Sequence, residues 1–167
     1  MKRIKYFFLL ILLVGIDQLT KYWARASFMD GDSQVIIPKV LKLIYHENDG
    51  AAWGMFSGKP VFLIGLTIVM LTVIAYCFFR IPQEKMYIPL RITSVMVAAG
   101  AIGNNLLDRI IHGYVIDFIY FELIDFPVFN VADMYIVIGV ILLALLIVFK
   151  YKDDDFSFMK RKQKEQE

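Results

Sequence analysis

Residues 131–149 read VADMYIVIGVILLALLIVF, a run long enough and apolar enough to cross a membrane as a helix. It holds one carboxylate, Asp133, just inside its start, and Asn130 precedes it. Of the 167 residues, 59% are hydrophobic and 20% are charged, which is typical of a membrane protein rather than a soluble domain. The fold is therefore expected to be a set of membrane spans, with Asp133 close to lipid.

Three further segments approach the roughly 20 apolar residues that a spanning helix needs. They are residues 4–23, 61–79 and 90–111. The first and third of them contain polar residues, namely Asp17, Gln18 and Lys21, then Arg91, Asn104, Asn105 and Asp108. Lipid does not tolerate such groups on an outward face, so we expect them to line an interior or to lie near an interface.

Basic residues indicate the orientation of the four spans. They flank the chain ends and the link between spans two and three: Lys2, Arg3, Lys5, Arg80, Lys85, Arg91, Lys150, Lys152, Lys160, Arg161, Lys162 and Lys164. These regions are predicted to be cytoplasmic, with both termini inside and both long loops outside. The net charge of +2 is too small to indicate nucleic-acid binding.

One alternative concerns the N-terminus, because MKRIKYFFLLILLVGI followed by Ala24-Arg25-Ala26 has the composition of a cleavable signal peptide. Against it, Asp17 and Lys21 lie four residues apart on one helical face, which suits an ion pair in a retained helix. The outer loops contain β-branched and aromatic segments, residues 34–45 and 114–121, which predict a small sheet at the outer membrane face.

Two carboxylates are predicted to meet at this outer level. Asp117 lies in the second outer loop, and Asp133 lies about one turn into span four. Asn48 in the first outer loop and Arg109 at the outer end of span three reach the same depth. Two carboxyls that share a proton are the chemistry of aspartic proteolysis, in which one activates a water and the other donates to the scissile carbonyl.

Structural explanations exist for the same residues. Asn130 followed by an acidic third residue is the pattern of a helix N-cap, which is compatible with catalysis. Asp108 beside Arg109 could form a structural pair at a helix end, with Arg109 reaching toward the headgroups. The intramembrane charges also suit a small proton-coupled transporter or channel subunit, and a non-catalytic helical scaffold would tolerate loss of both acids.

Five segments in order resemble the bacterial lipoprotein signal peptidases, also called prolipoprotein or type II signal peptidases. They are DQLTK at 17–21, NDGAAW at 48–53, GAIGNNLLDR at 100–109, GYVIDF at 113–118 and FNVAD at 129–133. The third segment departs from the family pattern G-N-x-x-D-R by one residue. Either Asn104 or Asn105 could therefore match the family asparagine, and the spacing to Asp108 favours Asn105, with one of the two facing the site.

The resemblance implies an all-α integral membrane fold of four transmembrane helices with a small periplasmic β-cradle and a short interfacial helix. It implies a peptidase domain over residues 1–152, and residues 153–167 are expected to form a charged, disordered cytoplasmic tail. The implied location is the bacterial inner membrane, with the active site at its outer face.

The implied activity is an aspartic endopeptidase that cleaves a prolipoprotein just before its diacylglyceryl-modified cysteine, without a metal or other cofactor. Asp117 and Asp133 match the catalytic pair. The positions that match substrate-binding or supporting residues are Asp17, Lys21, Asn48, Gly50, Ala51, Asn105, Asp108, Arg109, Asn130 and Ala132. The implied partners are the prolipoprotein substrate, membrane lipid and cyclic peptide inhibitors of the globomycin type.

Overall fold

The computed structural model describes residues 3–51 and 55–159. Four helical spans within this part of the chain are long and apolar enough to cross a membrane: Ile4–Phe28, Pro60–Arg80, Lys85–Ile111 and Val131–Phe149. All four predicted spans are present, and three of them extend beyond the predicted bounds. We name the first two helices α1 and α2, and Val131–Phe149 is α4.

The third span changes its helical type along its length. It begins with a 3-10 turn at Lys85–Tyr87, continues as the α-helix Ile88–Ala101, named α3, and becomes a π-helix at Ile102–Asp108 before a last α-helical turn at Arg109–Ile111. A π-helical turn accommodates one residue more than an α-helical turn, and such turns are frequent at functional sites.

Helices α3 and α4 pack closely because each of them has a glycine where it contacts the other. A Cβ atom on Gly100 would collide with the backbone oxygen of Ala132 and with Ile136. A Cβ atom on Gly139 would lie 2.9 Å from the side chain of Val97. Small residues at a helix contact let the two backbones approach, which is the usual basis of helix association in membranes.

The two predicted extended segments form a three-stranded antiparallel sheet in the order β1-β2-β3. The strands are β1 at Gln34–Ile37, β2 at Leu41–Asn48 and β3 at Val115–Phe121. Buried Phe118 of β3 packs with Ala24 and Phe28 near the end of α1, which fixes the sheet to the helical bundle. The periplasmic position of this sheet and the short interfacial helix stay predictions.

The beginning of the supposed tail is helical, which corrects the expectation of disorder for residues 153–159. Asp153–Met159 form a 3-10 helix whose Phe156 and Phe158 pack against a cluster containing Ile81 and Tyr151. Aromatic side chains in this segment can bury apolar area, which the charge-based prediction did not take into account. Residues 160–167 lie outside the described part of the chain, as does Lys2 of the basic N-terminus.

Candidate active site

The predicted pair of acids is brought together by Asn130. Residue Phe129 forms a bridge with Ile119, with hydrogen bonds of 2.8 and 3.0 Å, so the chain before α4 folds back along β3. Nδ2 of Asn130 donates to Oδ1 of Asp117 at 2.6 Å. The backbone N–H of Asn130 donates to Oδ2 of Asp133 at 3.0 Å. One residue therefore donates a hydrogen bond to each of the two carboxyls.

The same asparagine caps α4, as the sequence predicts. Its Oδ1 accepts from the backbone N–H of Asp133 at 3.0 Å, and together with the reciprocal bond this completes a capping box. Because Oδ1 is used by the cap, Nδ2 must face Asp117, and this fixes the orientation of the amide. Capping and coupling of the acids are thus two roles of one fully buried side chain.

Each acid also receives a hydrogen bond from a second asparagine. Nδ2 of Asn48, at the end of β2, donates to Oδ2 of Asp117 at 2.9 Å. Nδ2 of Asn104, in the π-helix, donates to Oδ1 of Asp133 at 2.7 Å. Neutral amides hold the carboxyls in place without adding charge, so the pair keeps its mutual repulsion.

Asn104 contacts Asp133, whereas the sequence favoured Asn105 for this role. The expectation that only one of the two asparagines would face the site is also wrong, because both do. Asn105 accepts from Nε of Arg109 at 3.1 Å, and both asparagines line the same 160 Å³ cavity. The π-helical turn is the physical reason, since it absorbs the extra residue of this segment within the helix.

Lys21 is at the centre of a cluster of charged and polar side chains next to the acids. Its Nζ lies 2.8 Å from Asp17, 2.9 Å from Asp108 and 2.6 Å from Oδ1 of Asn104. These contacts use the three N–H donors of the ammonium group. The predicted Asp17–Lys21 ion pair is therefore present, and Asn104 connects it to Asp133.

Two expectations for the end of the third span are corrected. Asp108 pairs with Lys21 instead of Arg109, and it also accepts from the backbone N–H of Ile116 at 3.1 Å. Arg109 is 4% exposed and does not extend toward the headgroups. It donates to the backbone oxygens of Asp49 and Gly50, because the loop after β2 supplies acceptors within its reach.

The remaining predicted residues support the backbone around the acids. Gly50 donates its N–H to Oδ1 of Asn48 at 3.0 Å, which turns the Asn48 amide toward Asp117. The N–H of fully buried Ala132 donates to Asp17 at 3.0 Å, which joins α4 to α1. Ala51 lines the cavities beside the acids, whereas Ala52 and Trp53 of the same motif lie outside the described residues.

Sequence reasoning did not assign a role to Gln18. Its Nε2 donates to Oδ1 of Asp108 at 2.8 Å and therefore helps to hold the acid that pairs with Lys21. The signal was its position beside Asp17, directly after a long apolar run in α1. A second missed residue is His46, which pairs with Asp117 across the sheet and lines the larger cavity.

The acids lie between two cavities and line both of them. The larger, of 680 Å³, is lined by His46, Phe129 and Val137 in addition to the acids. The smaller is lined by polar side chains that include Asn105 and Arg109. Asn48, Ala51, Asp117 and Asp133 line both spaces.

The charge of the site favours retention of a proton. Four carboxyls, those of Asp17, Asp108, Asp117 and Asp133, are gathered around the cations Lys21 and Arg109. Burial and, to a smaller extent, the nearby Asp133 raise the pKa of Asp117 to about 7, although hydrogen bonds from Asn48 and Asn130 oppose the shift. A carboxyl of this kind can carry a proton at neutral pH and donate it.

Known proteins resemble this chain over most of its length. Residues 9–149 match the family model described as signal peptidase (SPase) II. The lipoprotein signal peptidase of Caldanaerobacter subterraneus is 44% identical over 139 residues, which cover 83% of this chain and 92% of the relative. That of Latilactobacillus sakei is 42% identical over 144 residues, which cover 86% and 92%.

A solved bacterial membrane enzyme has the same fold, with a TM-score of 0.74 and 35% identity, and the match covers 95% of this chain and 93% of the other. The intramembrane charges that suggested a transporter are accounted for by the Lys21 cluster. The chain therefore belongs to the signal peptidase II family and is a multi-pass membrane protease.

Proposed function

We propose that the chain cleaves the signal peptide of a prolipoprotein immediately before its diacylglyceryl-modified cysteine, with Asp117 and Asp133 as the catalytic pair. The ionised carboxyl takes a proton from a water as the water attacks the scissile carbonyl, and the protonated carboxyl donates to the carbonyl oxygen. The observation that carries this proposal is the pair of hydrogen bonds from Asn130 to both carboxyls.

The raised pKa of Asp117 supports its role as the carboxyl that holds the proton. Asp133 then acts as the base, and it accepts from the backbone of Asn130 and from the side chain of Asn104 in that state. Asp117 also accepts two N–H hydrogen bonds, so the assignment of the proton rests on its raised pKa and not on the number of donors. The carboxyls act as a coupled pair, so their titration belongs to both.

The other residues that match the family motifs position the two acids. Asn48 and Asn130 hold Asp117, whereas Asn104 holds Asp133. Arg109 fixes the backbone of the Asp49–Gly50 loop that follows Asn48, and Asn105 orients Arg109. The ion pair of Lys21 with Asp108 joins α1 to the third span, and Asn104 connects Lys21 to Asp133.

The membrane supplies much of the substrate orientation in this proposal. The acyl chains of a diacylated substrate lie in the bilayer, so the bond to be cut is held at the outer interface of the inner membrane. The basic chain ends indicate that both termini are cytoplasmic. Phe126, Phe129 and Val137 provide apolar walls to the 680 Å³ cavity beside the acids. We expect globomycin-type cyclic peptides to compete for this cavity.

Purified protein incubated with a diacylated prolipoprotein tests the proposal. We expect one new product ending before the lipidated cysteine, formed in the presence of EDTA and lost with globomycin. D117N and D133N should each reduce the rate by about 10²–10⁴-fold, the range of general acid–base catalysis.

The matched control is D32N, which changes an exposed acid in the loop before β1. It should cleave at the unchanged rate. Full activity of either dyad variant, or a requirement for a divalent metal, would show that the two-carboxyl mechanism is wrong. Cleavage of the unlipidated precursor at an equal rate would instead contradict the proposed substrate.

A further inference from the structure

A third cavity lies between α1, α2 and α3, and neither acid lines it. Its volume is 460 Å³, within the range of about 300–1,000 Å³ that is usual for ligand sites. Its walls are almost entirely apolar and include Leu10, Leu71, Ile74, Val95, Ala98 and Ile102. Arg3 is the one charged residue among the described residues that line it.

Arg3 directly precedes α1 and lies 14 positions before Asp17. At a rise of about 1.5 Å per residue, this separates it from the charged cluster by roughly 21 Å. Its Nη2 donates to the backbone oxygen of Phe79 at 2.8 Å. Its Nε is buried and has no acceptor among the residues that the structure describes.

A second guanidinium near this end of the bundle is also incompletely satisfied. Arg91 is 3% exposed, and its Nη1 donates to the hydroxyl of Tyr6 at 3.2 Å. Its Nε and Nη2 are buried without an acceptor within residues 3–51 and 55–159. Tyr6 itself lines the cavity, so Arg91 contacts a wall of the apolar space.

Aromatic rings lie against both guanidinium groups, Phe79 at 5.4 Å from Arg3 and Tyr6 at 5.6 Å from Arg91, but the described part of the chain supplies no carboxylate to either. Its three salt bridges all involve Lys21 or Lys42, so neither Arg3 nor Arg91 belongs to an ion pair there. A buried cation without a counterion is costly, and membrane-embedded cations normally pair with an anion. An anion from outside the chain would supply acceptors for the unpaired N–H groups and a counterion for the two guanidinium groups.

We propose that this cavity binds an anionic phospholipid, with its phosphate held by Arg3 near the positive charge of Arg91 and one acyl chain along the apolar walls. Basic pockets between membrane helices are suited to such headgroups. The phosphate accepts hydrogen bonds from guanidinium groups, and the acyl chain fills space between α1 and α2. The lipid is distinct from the substrate, because Arg3 lies roughly 21 Å along α1 from the charged cluster that begins at Asp17.

Native mass spectrometry of the full-length protein in detergent tests this site. We add phosphatidylglycerol or phosphatidylcholine with identical acyl chains and count the lipid that is retained. Wild type should retain phosphatidylglycerol preferentially, and R3Q should weaken that retention by about fivefold, as expected for one cation at a membrane surface. R25Q, at the opposite end of α1, is the matched control and should behave as wild type.

Two further variants separate the headgroup from the acyl chain. R91Q should weaken phosphatidylglycerol retention as R3Q does. Arg91 is buried, so if R91Q does not fold, the R3Q variant still tests the headgroup contact. A98F fills the cavity and should reduce retention of phosphatidylglycerol, whereas A144F changes an exposed alanine of α4 and should not.

Equal retention of the two lipids by wild type would overturn the proposal. So would unchanged retention in R3Q, or an equal loss in R25Q. Inorganic phosphate at matched concentration should not displace the retained lipid; displacement would mean that the site binds a free anion and not a lipid. Unchanged retention in A98F would show that the acyl chain lies elsewhere.

Discussion

Nδ2 of Asn130 lies 2.6 Å from Oδ1 of Asp117, although the two residues belong to different elements and are separated by 12 residues. The backbone N–H of Asn130 donates to Oδ2 of Asp133, and its Oδ1 accepts from the backbone N–H of Asp133. The start of α4 and the middle of β3 are therefore fixed relative to each other by one amide. Any change at Asn130 acts on the spacing of the two acids.

Substitutions of Asn130 should separate its two roles. Serine is also a good N-cap, so N130S should retain most of the stability of α4, but its short side chain cannot reach Asp117. N130A lacks both functions and should lose about 1–2 kcal/mol of stability as well as activity. Thermal unfolding in detergent and the rate of prolipoprotein cleavage are to be measured together. A fully active N130S would contradict the coupling role.

The pH dependence of cleavage should follow Asp117. Its pKa of about 7 means that the carboxyl loses its proton as the pH rises through that value. With both acids ionised, no proton can be donated to the carbonyl oxygen. We expect the cleavage rate to fall above about pH 7, measured with a substrate whose own charge does not change there. A rate that is constant from pH 6 to 9 would contradict this assignment.

The pH dependence of protein stability should also report the protonation of Asp117, and its direction follows from the raised pKa. The pKa of Asp117 is raised above its ordinary value of 3.8, so between these two values the folded protein holds a proton that the unfolded chain has released. Stability from this group therefore decreases as the pH rises from about 4 to 7. D117N lacks this ionisable group. The stability of D117N relative to wild type should therefore be higher at pH 8 than at pH 5. Equal differences at both pH values would contradict the raised pKa.

Loss of Lys21 should be strongly destabilising. K21M removes the cation that contacts Asp17, Asp108 and Asn104, and it leaves two acids without their counterion. Removing one partner of a buried ion pair typically costs about 3–5 kcal/mol. K42M is the matched control, because Lys42 pairs with Glu122 at the surface at 3.2 Å, where such a pair contributes about 0–1 kcal/mol. Similar unfolding temperatures for the two variants would disprove the supporting role of Lys21.

The π-helical turn should tolerate removal of one residue. Deletion of Leu106 restores the spacing of the family pattern between Asn104 and Asp108, and the turn can relax to an α-helix without rotating the flanking segments. We expect this variant to cleave within about tenfold of wild type. Deletion of Val97, inside the regular helix α3, should abolish activity because every later side chain turns by about 100°. Equal loss in both variants would contradict this interpretation of the extra residue.

Composition and periodicity were sufficient to predict the four spans, because spanning the apolar interior of a membrane requires about 20 apolar residues in an unbroken helix. The sheet segments followed from β-branched and aromatic residues, and the capping box of α4 followed from a local spacing of three residues. Each of these features depends on neighbours in sequence.

The tertiary structure decided which polar groups meet. Asp108 lies beside Arg109 in sequence but pairs with Lys21, 87 positions earlier, because both side chains face the interior between α1 and the third span. Asn104 reaches Asp133 because a π-helical turn shifts the phase of the helix, and helix phase cannot be obtained from residue types alone. The sequence by itself determined the membrane helices and the supply of acids, amides and cations. Their pairing was decided by packing, because it depends on contacts between segments distant in the chain.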